Sequence, residues 1–201
     1  MLTTQKKQVI LATRNPGKVS EIKQKLSGFD FDIITLDSFP DIPEVLEDGA
    51  TIEENAEKKA RVIYAATGIM TLADDTALEV DFLNGEPGVY SSRFAGEDAT
   101  YEMNNNKLLQ LLKGVSLENR KAKFRCVMAI VNGGKIELLE GTCSGYILEE
   151  KRGQAGFGYD PLFYIPSYQK TFAEMSLSLK NKISHRGKVL QKVRKYFENI
   201  T

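Results

Sequence analysis

The sequence predicts an α/β fold, because short apolar runs of strand type alternate along the chain with amphipathic segments of helix type. The chain has 201 residues and is 42% hydrophobic, which is enough to bury a stable core without disulfides or structural metal ions. It shows no internal repeat, low-complexity segment or linker that would divide it into independent domains. We therefore expect one sizeable domain, or two closely joined lobes.

Charge and cysteine content limit the classes of function. Lys+Arg and Asp+Glu both number 27, so the formal net charge is +0 and no global field attracts nucleic acid or an anionic membrane. The N-terminal apolar run ends before Arg14 and is too short for a signal peptide or a membrane span. Cys126 and Cys143 lie in apolar, strand-like surroundings that are typical of buried reduced thiols. These features predict a soluble cytoplasmic protein that binds neither nucleic acid nor a membrane.

The first strand and helix carry a candidate anion site. Residues 8–13 form a compact apolar run that predicts a strand, and Asn15 and Pro16 are suited to cap and begin the helix that follows. Lys18 lies in the first turn of this helix, where the macrodipole disfavours a cation. An anion bound between the lysine and free backbone N–H groups would explain this placement. A solvated lysine on a helix face is the alternative, and it is the commoner case for an isolated signal.

An acidic loop precedes the second helix. Residues 31–36 predict a strand, and the loop 37–49 that follows is acidic and contains proline. Its candidate metal ligands are Glu44, Glu47 and Asp48. Thr51 and Glu54 form a capping box that starts a helix running to about Thr67. Such a loop is usually structural or solvated, but a second acidic segment follows this helix directly and could lie beside it.

That second segment is the strand predicted over residues 69–73, which ends in Asp74 and Asp75 and leads into a long polar loop. Carboxylates at a strand end are positioned to hold a hard cation. Successive side chains point to opposite faces of a strand, so only one of the pair points straight into a given site. We favour Asp75, because Thr76 and the loop lie on its side.

The middle of the chain is predicted to be mainly scaffold. The loop 80–100 is too long for an idle connector, and its polar and aromatic residues 90–94 could cover a ligand, form a structural lid or make a dimer contact. A helix is predicted over residues 100–113, which contain four leucines and precede a terminating glycine. A strand over residues 123–132 is joined by an Asn-Gly-Gly turn to a second strand, which is predicted over residues 135–139 and continues after Gly141 to residue 148.

A glycine-rich loop at 153–161 is the next candidate ligand site. Its three glycines allow a close backbone approach, and Phe157 and Tyr159 offer flat surfaces on which a base could stack. Asp160 precedes Pro161 and is therefore restricted to an extended conformation, which limits where its carboxylate points.

The final helix is predicted to begin after Ser184, which would be its N-cap, with His185 and Arg186 in its first turn. A solitary histidine is more often structural than a ligand. Arg186, with Lys180 and Lys182 just upstream, nevertheless favours a site for an anion or a purine carbonyl.

Seven stretches in sequence order resemble the family of inosine/xanthosine triphosphate pyrophosphatases, from about residue 9 to residue 197. These stretches are LATRNPGK, EENAEKKA, LADDTALEV, PGVYSSRFAGEDAT, GFGYDPLF, KTFAEM and ISHRGK. The resemblance implies hydrolysis of ITP, dITP and XTP to the nucleoside monophosphate and pyrophosphate, which cleanses the nucleotide pool. It also implies an α/β fold with a long mixed sheet flanked by helices, two lobes with the active-site cleft between them, and a homodimer to which the loop 80–93 could contribute.

The resemblance also implies roles for individual residues. Asp75 would be the catalytic carboxylate and a Mg²⁺ ligand, Asp74 would support the metal site, and Glu47 would be the ligand from the acidic loop. Lys59 would assist in holding the triphosphate. The implied substrate-binding residues are Thr13, Arg14, Asn15, Pro16, Gly17, Lys18, Lys59, Thr76, Phe157, Gly158, Tyr159, Asp160, Lys180, His185 and Arg186.

Two departures from the family pattern stand out. The usual acidic pair of the loop is spelled Leu46-Glu47 here, which leaves Glu44 as a rival ligand. Thr76-Ala77 stands where the family usually has Ser-Gly, and alanine would restrict the turn if a positive φ were required there.

The residue inventory supports this chemistry independently. Hydrolysis of an α–β phosphoanhydride needs charge neutralisation by Mg²⁺ and lysines, and a carboxylate that orients or deprotonates water. Oxygen donors, one histidine and no CxxC favour Mg²⁺ over Zn²⁺. A pyrophosphatase for modified pyrimidines or methylated bases is the closest rival, followed by a nucleotide-binding regulatory protein. A nucleic-acid-binding module is disfavoured because the chain has no basic stripe.

Overall fold

A computed structural model describes residues 7–200, which form a mixed β-sheet of eight strands and five α-helices. The strands are β1 Lys7–Leu11, β2 Phe31–Thr35, β3 Met70–Val80, β4 Pro87–Gly88, β5 Lys121–Asn132, β6 Lys135–Ile147, β7 Phe163–Ile165 and β8 Lys170–Thr171. The helices are α1 Pro16–Lys25, α2 Ile52–Thr67, α3 Tyr101–Leu111, α4 Leu177–Ile183 and α5 His185–Glu198. The predicted α/β class and mixed sheet are confirmed. Part of the N-terminal segment considered above, residues 1–6, lies outside the described residues.

The strand order is β2-β1-β3-β5-β6-β7-β8, and β4 pairs with β3. β1 runs parallel to both of its neighbours, with Val9 opposite Ile33 on one side and Met70 on the other. The β3–β4, β6–β7 and β7–β8 pairs are antiparallel. None of the helices in residues 7–200 is long and apolar enough to cross a membrane.

The chain divides into two compact units. Unit 1 contains the described residues up to Asp75, together with 127–140 and the segment from Val189 onward. Unit 2 contains residues 76–126 and 141–188. The boundaries fall within β3, β5 and β6, so each of these strands contributes residues to both units.

Unit 1 is organised by β1 and by the apolar faces of its helices. Val9, Ile10 and Leu11 of β1 are fully buried. As predicted, the Thr51 side chain caps α2, and the helix ends at Gly68, whose φ of 67° is the left-handed conformation that glycine adopts at low cost. The other half of the predicted capping box differs, because the Glu54 carboxylate accepts from the Ala50 N–H. Because α2 buries one face, the side chains that project from that face at helical spacing are held rigidly.

Unit 2 has one contiguous apolar core, formed by α3 and the strands of this unit together with the segment after β6. Phe124, Phe163 and Phe172 lie at its centre, with ring centroids 4.6 to 6.1 Å apart. Cys143 belongs to this core, and both cysteines of the chain are buried free thiols, as predicted. Burial raises the pKa of the Cys143 thiol.

Three sequence predictions need correction. The strand expected to end at Asp74 and Asp75 continues as β3 to Val80, and its residues Leu78 and Glu79 pair with β4. The second hairpin strand is continuous through Gly141 as β6. The short elements β4, β7, β8 and α4 were not predicted, since two to seven residues carry too little periodicity to identify an element.

Candidate active site

The turn between β1 and α1 is held by Asn15, which caps the helix as predicted. Its Oδ1 accepts hydrogen bonds from the N–H groups of Gly17, at 2.9 Å, and Lys18, at 3.2 Å, while its own N–H donates to Thr13 Oγ1 at 3.2 Å. The expectation that free N–H groups await an anion here is therefore wrong for these two donors.

Two other predicted residues of this turn, Arg14 and Pro16, have structural roles. Arg14 Nη2 donates to the Ile42 carbonyl at 3.2 Å, and its Nη1 lies 3.9 Å from Asp37 Oδ1. Pro16 is exposed at the first position of α1. These contacts give Arg14 and Pro16 structural roles in the turn, beside any contact with a ligand.

Lys18 projects from the first turn of α1 onto β3. Its Nζ lies 3.2 Å from Asp74 Oδ2, and the Asp74 side chain is fully buried. The first turn of α1 contains no acidic residue, and β3 supplies a carboxylate that balances the lysine charge. A cation and a carboxylate buried together stabilise each other, and each would lose a partner if the other were removed.

Lys59 of α2 joins the acidic loop to the same strand. Its Nζ lies 2.5 Å from Glu47 Oε1 and donates to the Asp74 backbone carbonyl at 2.6 Å. Asp75 is buried, and its Oδ2 accepts a hydrogen bond from Asn55 Nδ2 at 3.0 Å. Two lysines and two carboxylates are thus concentrated around positions 74 and 75 of unit 1.

The two alternative metal ligands of the acidic loop, Glu44 and Glu47, differ in burial and in their contacts. Glu47 is half-buried and its carboxylate is bound to Lys59, whereas Glu44 is exposed. Asp48 lies beside Lys58 at the surface, at 2.5 Å. This placement favours Glu47 over Glu44 as the loop carboxylate that would face a ligand.

The donor set of unit 1 fits a hard cation that is shared with a phosphate ligand. Among the described residues, no three or more His, Cys, Asp or Glu side chains are grouped so as to hold a metal by themselves. Mg²⁺ commonly takes only one or two protein carboxylates and completes its shell with water and substrate phosphates. Asp75, Asp74 and Glu47 supply oxygen donors of that kind.

In unit 2, Phe157 of the glycine-rich loop is half-buried and is surrounded by cations. Lys180 Nζ lies 4.7 Å from the centroid of its ring and the Arg186 guanidinium carbon lies 5.6 Å from it. The Tyr101 ring at the start of α3 is 6.3 Å away. An aromatic ring flanked by two cations is a suitable platform for a heterocyclic base with carbonyl groups.

Asp160 holds this loop in shape. Its Oδ2 accepts a hydrogen bond from the Phe157 N–H at 3.0 Å and lies 2.5 Å from Lys180 Nζ. The loop is tied to α3 by Asn105, whose Nδ2 donates to the Gly158 carbonyl at 2.9 Å. The loop conformation therefore depends on a buried acid, a buried lysine and a buried amide.

Tyr159 is placed differently from its neighbour Phe157. It lies in the apolar core of unit 2, is 4% exposed, and its hydroxyl donates to the Ser91 carbonyl at 2.9 Å. Burial raises the pKa of this phenol, so the hydroxyl stays protonated and keeps its donor. This position argues against Tyr159 as a stacking surface.

The start of α5 has the predicted geometry. Ser184 is its buried N-cap, and its Oγ accepts from the Gly187 N–H at 3.0 Å. His185 is 3% exposed and lies against Phe124, with the two rings 4.5 Å apart and nearly parallel. Arg186 is 1% exposed, and its Nη2 donates to Thr76 Oγ1 at 3.0 Å. The structure brings Thr76, Phe157, Lys180 and Arg186 together within unit 2.

The Thr76-Ala77 departure does not strain the backbone. Ala77 lies within β3, and the described non-glycine residues with positive φ are Asn84 and Gln169. The position is therefore ordinary strand backbone, and alanine fits it without a conformational cost. Ala77 is 2% exposed, so its methyl group adds to the buried face of the strand.

Asn55, Asn105 and Tyr101 were missed as site residues by sequence reasoning. Asn55 lies in the EENAEKKA stretch, four residues before Lys59, and this helical spacing is the signal that could have identified it. For Asn105 and Tyr101, which precede the glycine-rich loop by about fifty residues, no local pattern signals the contact.

Comparison with known proteins agrees with the resemblance. The model of the Ham1 family matches residues 9–196. The chain is 52% identical over 186 residues to the dITP/XTP pyrophosphatase of Desulforamulus reducens, and this match covers 92% of each chain. The Ham1 protein of Staphylococcus aureus has a similar structure, with a TM-score of 0.86 and 37% identity, covering 97% of this chain and 100% of that one.

The Ham1 protein of Coxiella burnetii is equally similar, with a TM-score of 0.87, 38% identity and coverage of 96% of this chain and 99% of that one. Sequence and structure thus agree over almost the full length of each relative. The family resemblance predicted from the motifs is confirmed: the chain belongs to the Ham1 family.

Proposed function

We propose that the protein hydrolyses non-standard purine nucleoside triphosphates, namely ITP, dITP and XTP, to the nucleoside monophosphate and pyrophosphate. The proposal is supported by the relatives of the chain, among them proteins named dITP/XTP pyrophosphatase at 52% and 50% identity. The observation that carries it in this chain is the pair of lysines, Lys18 and Lys59, that both reach the Asp74–Asp75 segment. Phosphate binding and carboxylate chemistry are thereby available at one place in unit 1.

We assign triphosphate binding to the lysines of unit 1. A triphosphate carries several negative charges, and the transition state of phosphoanhydride hydrolysis spreads charge over the phosphate oxygens. Lys18 is already 3.2 Å from a buried carboxylate, so a bound phosphate would share its ammonium with Asp74. Lys59 holds Glu47 in the same way and would bring the acidic loop toward the same ligand.

We assign the catalytic role to Asp75. Its Oδ2 is engaged by Asn55, which holds the carboxylate in one orientation. A carboxylate held in this way can orient the attacking water or accept a proton from it. No covalent intermediate is required. Mg²⁺, when bound by Asp75 with Asp74 and Glu47, would supply neutralisation of the phosphate oxygens and of the developing charge.

We assign recognition of the base to unit 2. Arg186 is a permanent donor with a buried guanidinium, and donors suit the O6 carbonyl of a 6-keto purine. Adenine presents an amino donor at this position, which would leave the Arg186 donor opposed and unpaired. Phe157 offers the ring on which the purine would stack. Lys180 and His185 are the other residues that we assign to the base site.

The test of the reaction is release of pyrophosphate from ITP, XTP, GTP, ATP and TTP, with and without Mg²⁺, by the wild type and Asp75→Asn. We expect metal-dependent release from ITP and XTP, and a loss of roughly 10²- to 10⁴-fold in Asp75→Asn, as for removal of a general base. The melting temperature of the variant serves as the folding control. Orthophosphate instead of pyrophosphate would contradict the bond assignment, and equal rates with ITP and ATP would contradict the base assignment.

We further propose that the active form is a cytoplasmic homodimer in which each chain acts as a single pyrophosphatase domain. The loop 80–93 carries Phe82 and Tyr90, which are 52% and 59% exposed and would be covered by a second copy. The buried thiols suit a reducing compartment. Sedimentation of the wild type and Phe82→Asp tests the dimer, and a monomeric wild type would overturn it.

A further inference from the structure

We infer that Asn55 is a positioning residue for the reaction, which orients the Asp75 carboxylate and ties the acidic loop to it. This inference rests on the proposed function of Asp75. Asn55 lies on α2, is 1% exposed, and neither the sequence motifs nor the named relatives assign it a role.

The two ends of the Asn55 amide have different partners, and one of them determines how the amide is turned. Its Oδ1 accepts a hydrogen bond from the Gly49 N–H at 2.8 Å. Because a backbone N–H can only donate, the oxygen must face Gly49 and the Nδ2 must face Asp75. Nδ2 then donates to Asp75 Oδ2 at 3.0 Å, so the amide defines one orientation of that carboxylate.

Gly49 is shaped for this contact. A Cβ at position 49 would lie 2.7 Å from Asn55 Oδ1 and 2.8 Å from Glu54 Cβ, distances that real Cβ atoms do not adopt. The next residue of the loop is held as well, since the Ala50 N–H donates to Glu54 Oε2 at 2.7 Å. The end of the acidic loop is therefore fastened to the first turn of α2 through side chains of consecutive residues.

Asn55 and Lys59 act from the same face of α2, four residues apart. Each of them joins one group of the acidic loop to one group of the Asp74–Asp75 segment. Asn55 joins the Gly49 N–H to the Asp75 carboxylate, and Lys59 joins the Glu47 carboxylate to the Asp74 carbonyl. A single helical face thus sets the positions of both candidate sources of metal ligands in unit 1.

The choice of an amide at position 55 has a chemical reason. Lys18 and Lys59 already supply cations to this segment. A further cation at Asp75 would compete with the metal ion for the same carboxylate, whereas a neutral donor orients one oxygen without adding positive charge. The amide is the side chain that can donate to Asp75 and accept from Gly49 without adding charge.

The experiment compares Asn55→Asp and Asn55→Ala with matched variants of Asn104. Asn55→Asp keeps the acceptor for Gly49 and removes the donor to Asp75, and Asn55→Ala removes both. Asn104 is 2% exposed and also bridges two groups: its Oδ1 accepts from the Ala95 N–H at 2.8 Å, and its Nδ2 donates to the Ser92 carbonyl, a neutral acceptor, at 2.9 Å. Its aspartate and alanine variants therefore report the cost of losing a buried bridging amide elsewhere in the chain.

The readouts are kcat and KM for ITP at saturating Mg²⁺, the dissociation constant of Mn²⁺ measured by electron paramagnetic resonance without nucleotide, and the melting temperature. We expect both Asn55 variants to lose kcat about 10- to 100-fold more than their Asn104 counterparts, with a smaller change in KM. We expect Asn55→Ala to bind Mn²⁺ about 10-fold or more weakly than Asn104→Ala. If Asn55 had only a structural role, the Asn55 and Asn104 variants would both have lower melting temperatures. Their losses of kcat and their affinities for Mn²⁺ would then be equal.

Equal kcat losses and equal Mn²⁺ affinities in the Asn55 and Asn104 variants would overturn the inference. If Asn55→Asp does not fold, Asn55→Ala decides the outcome by the same measurements. Failure of the proposed function is distinct, because it is a wild type that releases no pyrophosphate from ITP. In that case the Mn²⁺ comparison, which needs no turnover, still decides whether Asn55 organises the carboxylates.

Discussion

Lys180 Nζ lies 2.5 Å from Asp160 Oδ2, and each of these side chains is only 4% exposed. The same Oδ2 accepts the Phe157 N–H at 3.0 Å, and the same ammonium lies 4.7 Å from the Phe157 ring. One buried ion pair therefore sets both the path of the glycine-rich loop and the place of its aromatic ring. Under the proposed function, stability and recognition of the base would therefore depend on the same two residues.

We predict that Asp160→Asn destabilises the protein by about 3–5 kcal/mol, because it removes the buried carboxylate that faces the buried Lys180 ammonium. The double variant Asp160→Asn with Lys180→Met should recover most of this free energy of unfolding, since a neutral pair no longer carries an uncompensated charge. It should not recover KM for ITP. Urea unfolding and steady-state kinetics measure the two quantities, and a double variant as unstable as the single one would contradict the prediction.

A second prediction concerns two glycines of the same loop. Gly156 has φ +80°, and a Cβ there would lie 2.1 Å from Asp160 Oδ2, whereas Gly158 has φ +61° and nothing within 4 Å of its Cβ position. Gly158→Ala should cost only the left-handed strain, about 1–2 kcal/mol. Gly156→Ala should cost clearly more and should also raise KM for ITP, because it displaces Asp160. Equal unfolding free energies of the two variants would disprove this contrast.

Gly49→Ala should reproduce the kinetic effect of removing Asn55. The added methyl group would meet Asn55 Oδ1 at 2.7 Å and push the amide away from Gly49 and Asp75. We expect a loss of kcat of about tenfold or more. A double-mutant cycle with Asn55→Ala provides the control, because the second substitution should add little once the amide is gone. Fully additive losses would show that Gly49 acts through something other than Asn55.

Thr76 is predicted to support base selection through Arg186. Thr76→Val keeps the shape of the side chain but removes the oxygen that accepts from Arg186 Nη2 at 3.0 Å. Losing this hydrogen bond to a charged group should cost about 1.5–3 kcal/mol. The preference for ITP over ATP, measured as a ratio of kcat/KM values, should fall. Thr76→Ser keeps the oxygen and is the matched control, so a ratio that falls equally in both variants would rule out the hydrogen bond as the cause.

The pH dependence of stability should contain a contribution from Glu174. The hydrogen bond from the Thr171 N–H lowers the pKa of this carboxyl below its ordinary value of 4.5, burial opposes the lowering, and Arg152 adds to it. The stabilisation is therefore fully present above pH 4.5 and is lost as the pH falls through the lower pKa of the folded state. The melting temperature of Glu174→Gln should lie below that of the wild type at pH 7, and the difference should shrink under acidic conditions. A difference that is constant with pH would contradict this origin.

The sequence by itself determined the elements that short-range interactions define. The Thr51 cap, the Gly68 terminus and the Ser184 cap were all predictable, because each depends on residues within one turn of a helix. The motifs also sufficed to identify the family, whose model matches residues 9–196.

Only the tertiary structure decided which of these residues meet. The strand order, the passage of β3 through Asp74 and Asp75, and the burial of Tyr159 beside a half-buried Phe157 depend on contacts between segments far apart in the chain. Asn55 illustrates the same limit, because it is an ordinary helix residue until its amide is seen to join Gly49 to Asp75. Local sequence encodes caps and periodicity, whereas packing of distant segments selects the partners of a buried polar group.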